Sequence, residues 1–213
     1  MDDTLRILAL MAAYRVRIAL NLKGLTVEDE FVHLQKFDQR DDAYLALNPQ
    51  GLVPTLVDGN VHLSQSMAII EYLDERHPEP ALLPDDPTGR ARVRQLAQVV
   101  ACDIHPVNNL KVLNYLTQEL GVSDDDRLKW YRHWVHQSFH GLEGIVSTSP
   151  ATSKFCHGNQ PTLADLCLVP QLYNARRFEV DLSAYPNLVR IDETCRAIDA
   201  FANAAPERQP DAS

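Results

Sequence analysis

The stretch from Gly51 to Ser66 constrains the fold of this chain more than any other. Pro54 has no N–H group, so it predicts the start of a strand or a bulge rather than a place inside a ladder. The pair Asp58-Gly59 predicts a hairpin turn between two β-rich runs. Gln65-Ser66 then opens an amphipathic helical pattern from Met67 to Arg76. The stretch therefore predicts a β-hairpin followed directly by a helix.

The same stretch has two interpretations. Pro54 is a candidate for a cis peptide bond, which would turn the backbone of Val53 outward, where it could pair with an extended peptide. Ser66 is a good N-cap residue, and the unpaired N–H groups behind it suit a carboxylate. Together these features describe a site for a small acidic peptide. The alternative is an ordinary hairpin followed by a capped helix, and this stretch taken without the rest of the chain favours that alternative.

Composition and charge limit the kinds of protein that this chain can be. The chain has 213 residues, 45% of them hydrophobic, which suits one large or two small domains. The net charge is −9, and no basic run is interleaved with aromatic residues, so nucleic acid is not expected as a partner. No apolar stretch reaches the roughly 18 residues of a membrane span, and residues 7–13 lack the features of a signal peptide. The four cysteines form no Cys-x-x-Cys pair, which is typical of reduced thiols in the cytoplasm.

The pattern of elements changes along the chain. Residues 1–77 read as strands and helices in the order β-α-β-α-β-β-α, which predicts a small mixed sheet with a crossover. Four prolines crowd residues 78–88, and that density predicts a linker. Residues 89–213 read as helical almost throughout. The predicted helices are Arg90–Thr117, Asp124–Ser147, Thr162–Arg176 and Leu188–Asn203.

Two further local patterns are interpreted as structural. Thr162 stands three residues before Asp165 at the start of an apolar helix, which predicts a capping box in which Asp165 bonds back to the Thr162 N–H. His133, His136 and His140 share one helical face. No carboxylate or cysteine at suitable spacing supports a metal centre there, so no metal site is predicted.

Taken together, these segments resemble the glutathione transferases, and the resemblance covers nearly the whole chain. Within that superfamily they are most similar to the zeta class, the maleylacetoacetate and maleylpyruvate isomerases. The matching strings are Tyr14–Gly24, Leu47–Leu56, Gln65–Leu73, Asp103–Asn109, Pro161–Asp165 and Ala175–Phe178. The second and third strings indicate the superfamily, and the first string, His105-Pro106 and Arg177-Phe178 indicate the class.

The resemblance implies an α+β, thioredoxin-like N-terminal domain followed by an all-α C-terminal domain. It also implies a cytoplasmic homodimer that uses glutathione to isomerise a small maleyl diacid. Glutathione would contact Val53, Pro54, Gln65, Ser66 and Asn108. The substrate side would include Arg177, which matches an arginine thought to bind the substrate carboxylate, together with Arg15 and His105. For His105, a structural role at a helix kink remains equally open.

The sequence departs from the family before Tyr14. Zeta proteins carry a Ser-Ser-Cys/Ala-Ser type run there, and its hydroxyl steadies the glutathione thiolate. This chain has Leu10, Met11, Ala12 and Ala13 instead, so the catalytic hydroxyl is not identified. Tyr14 supplies the nearest hydroxyl, at a position where the family has a packing aromatic.

Three functions follow from these observations. The first is a zeta-type isomerase. The second is a binding protein of the same fold whose catalysis is weak or lost because the serines are absent. The third is a conjugating transferase that acts on halogenated acids.

Overall fold

A computed structural model describes residues 5–9, 14–32 and 38–209. The described residues fall into two units. The first unit contains the residues up to Ala81 together with those from Ile198 onward, and the second contains Leu82–Ala197. The sequence placed the C-terminal residues with the helical domain, whereas the structure groups them with the first unit.

The first unit has the predicted order of elements. Its sheet has the strand order β2-β1-β3-β4, with β1 and β2 parallel and β3 antiparallel to both β1 and β4. The parallel pair is connected through α1, as the predicted crossover requires. The elements are β1 (Leu5–Ala9), α1 (Tyr14–Leu22), β2 (Val27–Phe31), α2 (Asp42–Leu47), β3 (Thr55–Asp58), β4 (Val61–Ser64) and α3 (Ser66–Arg76).

The core of this unit lies between the sheet and the helices. Ile18 on α1, Leu56 on β3 and Leu73 on α3 are completely buried. Strand β3 is buried because it is central in the sheet, whereas Val61 and His62 on the edge strand β4 are exposed. The hairpin turn falls at Gly59, as predicted.

The chain ends in the first unit through a short helix, α9 (Asp199–Ala204). Side chains of α1 donate hydrogen bonds to its carbonyl groups. Asn21 Nδ2 lies 2.9 Å from Ala200 O, and Arg17 Nε lies 3.4 Å from Ala204 O. The predicted single helix Leu188–Asn203 is therefore wrong: α8 (Pro186–Arg196) ends first, and α9 begins after a break at Ile198.

Lys23, directly after α1, binds the end of α3 and the residues that follow it. Its Nζ donates to Asp74 Oδ1 at 2.8 Å, to His77 O at 2.6 Å and to Pro80 O at 3.0 Å. The Lys23 side chain is 0% exposed, so its charge depends on these three acceptors. This contact ties the end of α1 to the end of α3 and to the proline-rich segment.

The second unit is helical. Its helices are α4 (Pro87–Gln98), α5 (Leu110–Gln118), α6 (Asp124–Thr148), α7 (Leu163–Arg177) and α8. The predicted continuous helix Arg90–Thr117 is wrong in its middle. Residues Val99–Ile104 form a π-helix that ends near His105, whose N–H bonds to Val100 O at 3.0 Å. A π-helical turn of this kind often lies at a functional site.

The predicted capping box is present at the start of α7. Asp165 Oδ2 accepts from the Thr162 N–H and from Thr162 Oγ1, each at 2.8 Å, and Asp165 Oδ1 accepts from the Cys156 N–H at 2.8 Å. Asp165 is 0% exposed, so these bonds compensate the loss of water. The residue therefore organises the core of the second unit.

Candidate functional site

The start of α3 presents the first group of predicted site residues. The helix begins at Ser66, and Gln65 takes the N-cap position with φ 73° and ψ 113°. The prediction that Ser66 is the N-cap is therefore wrong: Gln65, with its positive φ, takes that position, and the helix starts one residue earlier than predicted. Gln65 is exposed, and its Nε2 donates to Gln50 Oε1 at 3.0 Å. The first N–H groups of α3 have no acceptor within the helix.

Val53 lies next to this helix start along the hairpin. The Val53–Pro54 peptide bond is cis, as predicted. The N–H and C=O of Val53 make no hydrogen bond to the residues that the structure describes. By contrast, the preceding carbonyl, Leu52 O, accepts from Tyr44 Oη and from Asn48 Nδ2, both at 2.6 Å. The backbone of Val53 is thus unpaired among the described residues, directly after a carbonyl that accepts two hydrogen bonds.

Gly51 explains why the loop before Val53 can form. Its φ is +59°, and a Cβ atom there would lie 2.9 Å from Gln39 O. A side chain would therefore be strained both by the backbone angle and by the lack of space. The glycine fixes the approach of the chain to Val53.

Arg15 of α1 reaches the same helix start. Its side chain is buried, with the residue 7% exposed, and Nη1 donates to Ser66 Oγ at 3.4 Å. No carboxylate within the described ranges pairs with Arg15. The sequence grouped Arg15 with the substrate residues, and the structure places it beside Ser66 in the first unit. A buried cation without a carboxylate partner, beside the positive end of a helix dipole, favours an anion there.

His105 and Asn108 follow the π-helix in the second unit. His105 Nε2 lies 3.4 Å from Asn109 Nδ2. Asn108 Nδ2 donates to Tyr131 O at 3.2 Å, whereas its Oδ1 is buried and has no hydrogen-bond partner among the described residues. An acceptor of this kind suits a donor from a ligand.

The two arginines at the end of α7 have different surroundings. Arg176 Nη2 lies 2.7 Å from Oδ2 of Asp192, whose side chain is fully buried. Arg196 contacts the same oxygen at 3.1 Å. Arg177 is exposed and forms no ion pair with a described carboxylate. Arg176 therefore stabilises the fold, and Arg177 remains available for a ligand.

Tyr131 on α6 was not predicted from the sequence. Its ring stacks on Phe178, with the centroids 3.9 Å apart. Burial raises the pKa of Tyr131 to about 12, and the side chain of Gln171 and the positive charge of Arg177 oppose that rise. Its spacing with the buried Val135 and Phe139 is that of a core stripe, so the sequence offers no signal for a role at a site.

A cavity of about 220 Å³ lies beside this aromatic pair. Leu113, Leu128, Tyr131 and Phe178 give it an apolar lining, and the remaining lining residues are Asp124, Asp125 and Arg127. Arg127 Nη2 is 3.1 Å from Asp124 Oδ1, so these two charges offset each other. The cavity belongs entirely to the second unit and adjoins the segment that ends in Arg177.

The other residues that the sequence analysis singled out add no contact to the site. Leu10, Met11, Ala12 and Ala13 lie outside the described residues. Within the described part of the chain, no group of side chains has the composition of a metal site. His136 instead makes a 2.8 Å contact from Nδ1 to Tyr185 Oη. No helix among the described residues is long and apolar enough to cross a membrane.

Comparison with known proteins identifies the family. The sequence profile of the glutathione S-transferase N-terminal domain matches residues 12–81, and that of the C-terminal domain matches residues 135–199. A probable maleylacetoacetate isomerase of Vibrio cholerae is 51% identical over 203 residues, which are 94% of each chain. A maleylpyruvate isomerase of Ralstonia is 48% identical and covers 94% of this chain and 95% of its own.

Solved structures show the same similarity. A bacterial maleylpyruvate isomerase, described as a zeta-class glutathione transferase, has a TM-score of 0.95 and 45% identity over 98% of this chain and 100% of its own. A maleylacetoacetate isomerase from Methylobacterium extorquens, solved with malonate and glutathione, has a TM-score of 0.94 and 42% identity over 98% of this chain and 99% of its own. This chain therefore belongs to the glutathione transferase family. Within that family, it is a member of the zeta class.

Proposed function

We propose that the protein is a glutathione-dependent isomerase of a maleyl keto acid in aromatic amino-acid or aromatic-acid catabolism. The reaction would convert maleylacetoacetate to fumarylacetoacetate, or maleylpyruvate to fumarylpyruvate. The observation that carries the proposal is the similarity to isomerases of both kinds, at 48–51% identity over 94% of the chain. Because relatives of both names have comparable identities, they leave both substrates open.

The residues at the start of α3 fit glutathione, which is a small peptide with two carboxylates. The unpaired backbone of Val53, next to Pro54, offers the donor and acceptor that an extended peptide needs. Gln65, the first N–H groups of α3 and the buried cation of Arg15 offer donors to a carboxylate. We therefore assign Arg15 to the glutathione side rather than to the substrate side. Asn108, through its unpartnered Oδ1, is the acceptor for a glutathione N–H.

The chemistry divides between glutathione and the chain. When bound, glutathione supplies a thiolate that adds to the double bond and leaves again, which allows rotation between the two steps. The chain's own groups orient the reactants and favour the charged form of the sulfur. The N-terminus of α1, which begins at Tyr14, lowers a thiol pKa through the positive end of the helix dipole. Arg177 binds a substrate carboxylate, and His105 contributes a polar group near it.

The rival functions make different predictions. A binding protein without turnover is not favoured, because the curated relatives are named as isomerases. The absence of a serine in the run Leu10–Ala13 still predicts slow turnover, since the expected donor to the sulfur is missing. We also propose a homodimer in the cytoplasm. Light scattering at micromolar concentration would refute the dimer if it gave the mass of one chain.

Turnover assays test the function directly. We expect the purified protein to isomerise maleylacetoacetate or maleylpyruvate only when glutathione is present. A chloroaromatic substrate serves as the comparison, because its conjugation would instead support a general transferase. Glutathione binding measured by calorimetry, combined with no turnover of either maleyl substrate, would overturn the proposal and support the binding protein.

A further inference from the structure

One turn of α6, residues Trp130–Arg132, contacts both segments of the second unit that carry predicted site residues. Trp130 Nε1 donates to Val107 O at 2.9 Å, and Tyr131 O accepts from Asn108 Nδ2 at 3.2 Å. These two bonds hold the segment that follows the π-helix. The contacts of Tyr131 and Arg132 with the end of α7 hold the other segment.

The end of α7 is fixed from two directions. The rings of Tyr131 and Phe178 are stacked, with 3.9 Å between centroids and 21° between planes. Arg132 Nε donates to Phe178 O at 3.0 Å, and its Nη2 lies 3.1 Å from Glu179 Oε2. Phe178 directly follows Arg177, and its N–H closes the helix through bonds to Arg176 O and Asn174 O. Two side chains of α6 therefore hold the residues that directly follow Arg177, which restricts the end of α7.

Arg132 is well suited to this place. A helix ends with unpaired carbonyl groups and a negative dipole end, which favour a cation. Glu179 has a φ of 52°, an uncommon value for a residue other than glycine, and it starts the chain reversal after α7. The guanidinium thus binds the two residues that follow the helix, at the point where the chain changes direction.

We propose that Tyr131 and Arg132 are positioning residues that hold the end of α7, so that Arg177 binds the substrate carboxylate. The inference rests on the proposed function for the role of Arg177. Arg177 itself is exposed and has no carboxylate partner among the described residues, so its own side chain is not preorganised. A fixed backbone reduces the conformational freedom that the arginine must lose on binding. Tyr131 also lines the cavity beside this helix end, where a ligand would meet the aromatic pair.

The structure offers an internal control for the role of Tyr131. Asn108 is bound by the main-chain carbonyl of Tyr131, which every side-chain variant retains. Tyr131→Leu removes the aromatic stack, so we expect affinity for a dicarboxylate to fall about tenfold while glutathione affinity changes less than about twofold. Tyr131→Phe keeps the ring and is expected to stay within about twofold of the original protein.

Malonate is the probe, and its affinity is measured by calorimetry with glutathione present. Lys129→Ala is the matched control, because Lys129 lies on the same helix and pairs with Asp126 at 2.7 Å, on that helix itself. Combining Tyr131→Leu with Arg177→Ala should cost little more than Arg177→Ala alone, since both changes remove the same interaction. If Tyr131→Leu does not fold, Arg132→Gln replaces it, and the expected result is again weaker malonate binding with unchanged glutathione binding.

Three results would overturn the inference. Malonate affinity could be unchanged in Tyr131→Leu, the effects of Tyr131→Leu and Arg177→Ala could be additive, or glutathione affinity could fall as much as malonate affinity. Because malonate binding requires no turnover, this test is separate from that of the proposed function. A protein that shows the coupling but isomerises no maleyl substrate would overturn the function and support the positioning role.

Discussion

The start of α3 and the end of α7 offer two different kinds of binding group. At the start of α3, the groups are mainly backbone: the N–H groups of the helix and the unpaired edge at Val53. At the end of α7, the group is a single side chain, Arg177, and its surroundings are built by α6. The binding groups at the start of α3 are set by the local conformation of the chain. The position of Arg177 at the end of α7 depends instead on packing between segments that are distant in sequence.

This difference explains which changes each site tolerates. Backbone N–H groups remain when side chains are replaced, so the start of α3 should weaken gradually under mutation. A guanidinium is lost completely when the arginine is replaced, and it is displaced when its support is removed. We therefore expect glutathione binding to be robust and substrate binding to be fragile.

The largest predicted effect concerns the segment before α1. Replacing Leu10→Ser, Met11→Ser and Ala13→Ser together restores a hydroxyl run before Tyr14. We expect turnover of a maleyl substrate to rise about 100-fold or more, because one well-placed donor to a developing charge contributes roughly that factor. The pKa of the bound thiol should fall in the same variant, which thiolate absorbance against pH would measure.

Turnover of the unmodified protein could contradict this prediction. Rapid turnover that survives Tyr14→Phe would show that backbone donors suffice at the sulfur as well. The contrast between the start of α3 and the end of α7 would then be sharper. Glutathione would be bound and activated without a side-chain hydroxyl at the sulfur, whereas the substrate side would still depend on the Arg177 side chain.

A smaller effect is expected at the end of α7. Arg177→Ala should raise the KM for a maleyl substrate about 10- to 100-fold, since a hydrogen bond to a charged group contributes about 1.5–3 kcal/mol. Glutathione affinity should hardly change. A loss of glutathione affinity instead would assign Arg177 to the glutathione side and remove the contrast.

Arg176→Ala is the matched control for Arg177→Ala. Arg176 pairs with the buried Asp192, so its loss leaves that carboxylate with Arg196 as its remaining ion-pair partner. We expect a lower free energy of unfolding, measured in urea, with a nearly unchanged KM. Equal KM values in the two variants would contradict the separate roles, in which Arg177 binds the substrate and Arg176 stabilises the fold.

The start of α3 could be predicted because its signals are local. Pro54 and the Asp58-Gly59 turn determine the hairpin within a few residues, and the helix start follows at once. Even here, the N-cap was displaced by one residue to Gln65, because the sequence does not reveal that Gln65 adopts a positive φ. The contact of Arg15 with Ser66 could not be predicted either, since it depends on how α1 packs.

The support of Arg177 could not be predicted because it is not local. Tyr131 meets Phe178 across 47 positions of sequence, and it looks like any other buried residue of α6. The π-helix Val99–Ile104 interrupts the predicted helix inside a run that holds no glycine or proline, and Pro106 follows only after it has ended. The return of α9 to α1 likewise rests on bonds such as Asn21 to Ala200, 179 positions apart.

The smallest predicted effect is at Ser66. Its hydroxyl is one donor among several at the start of α3, because the helix N–H groups and Arg15 remain after its removal. Ser66→Ala should therefore weaken glutathione binding by about 1 kcal/mol, or roughly fivefold, as the loss of one hydrogen bond requires. Calorimetry measures the affinity, and Ser64→Ala on β4 controls for the loss of a nearby hydroxyl. An unchanged affinity in Ser66→Ala would remove the hydroxyl from the site, whereas a complete loss of binding would show that this end depends on one side chain, as the end of α7 does.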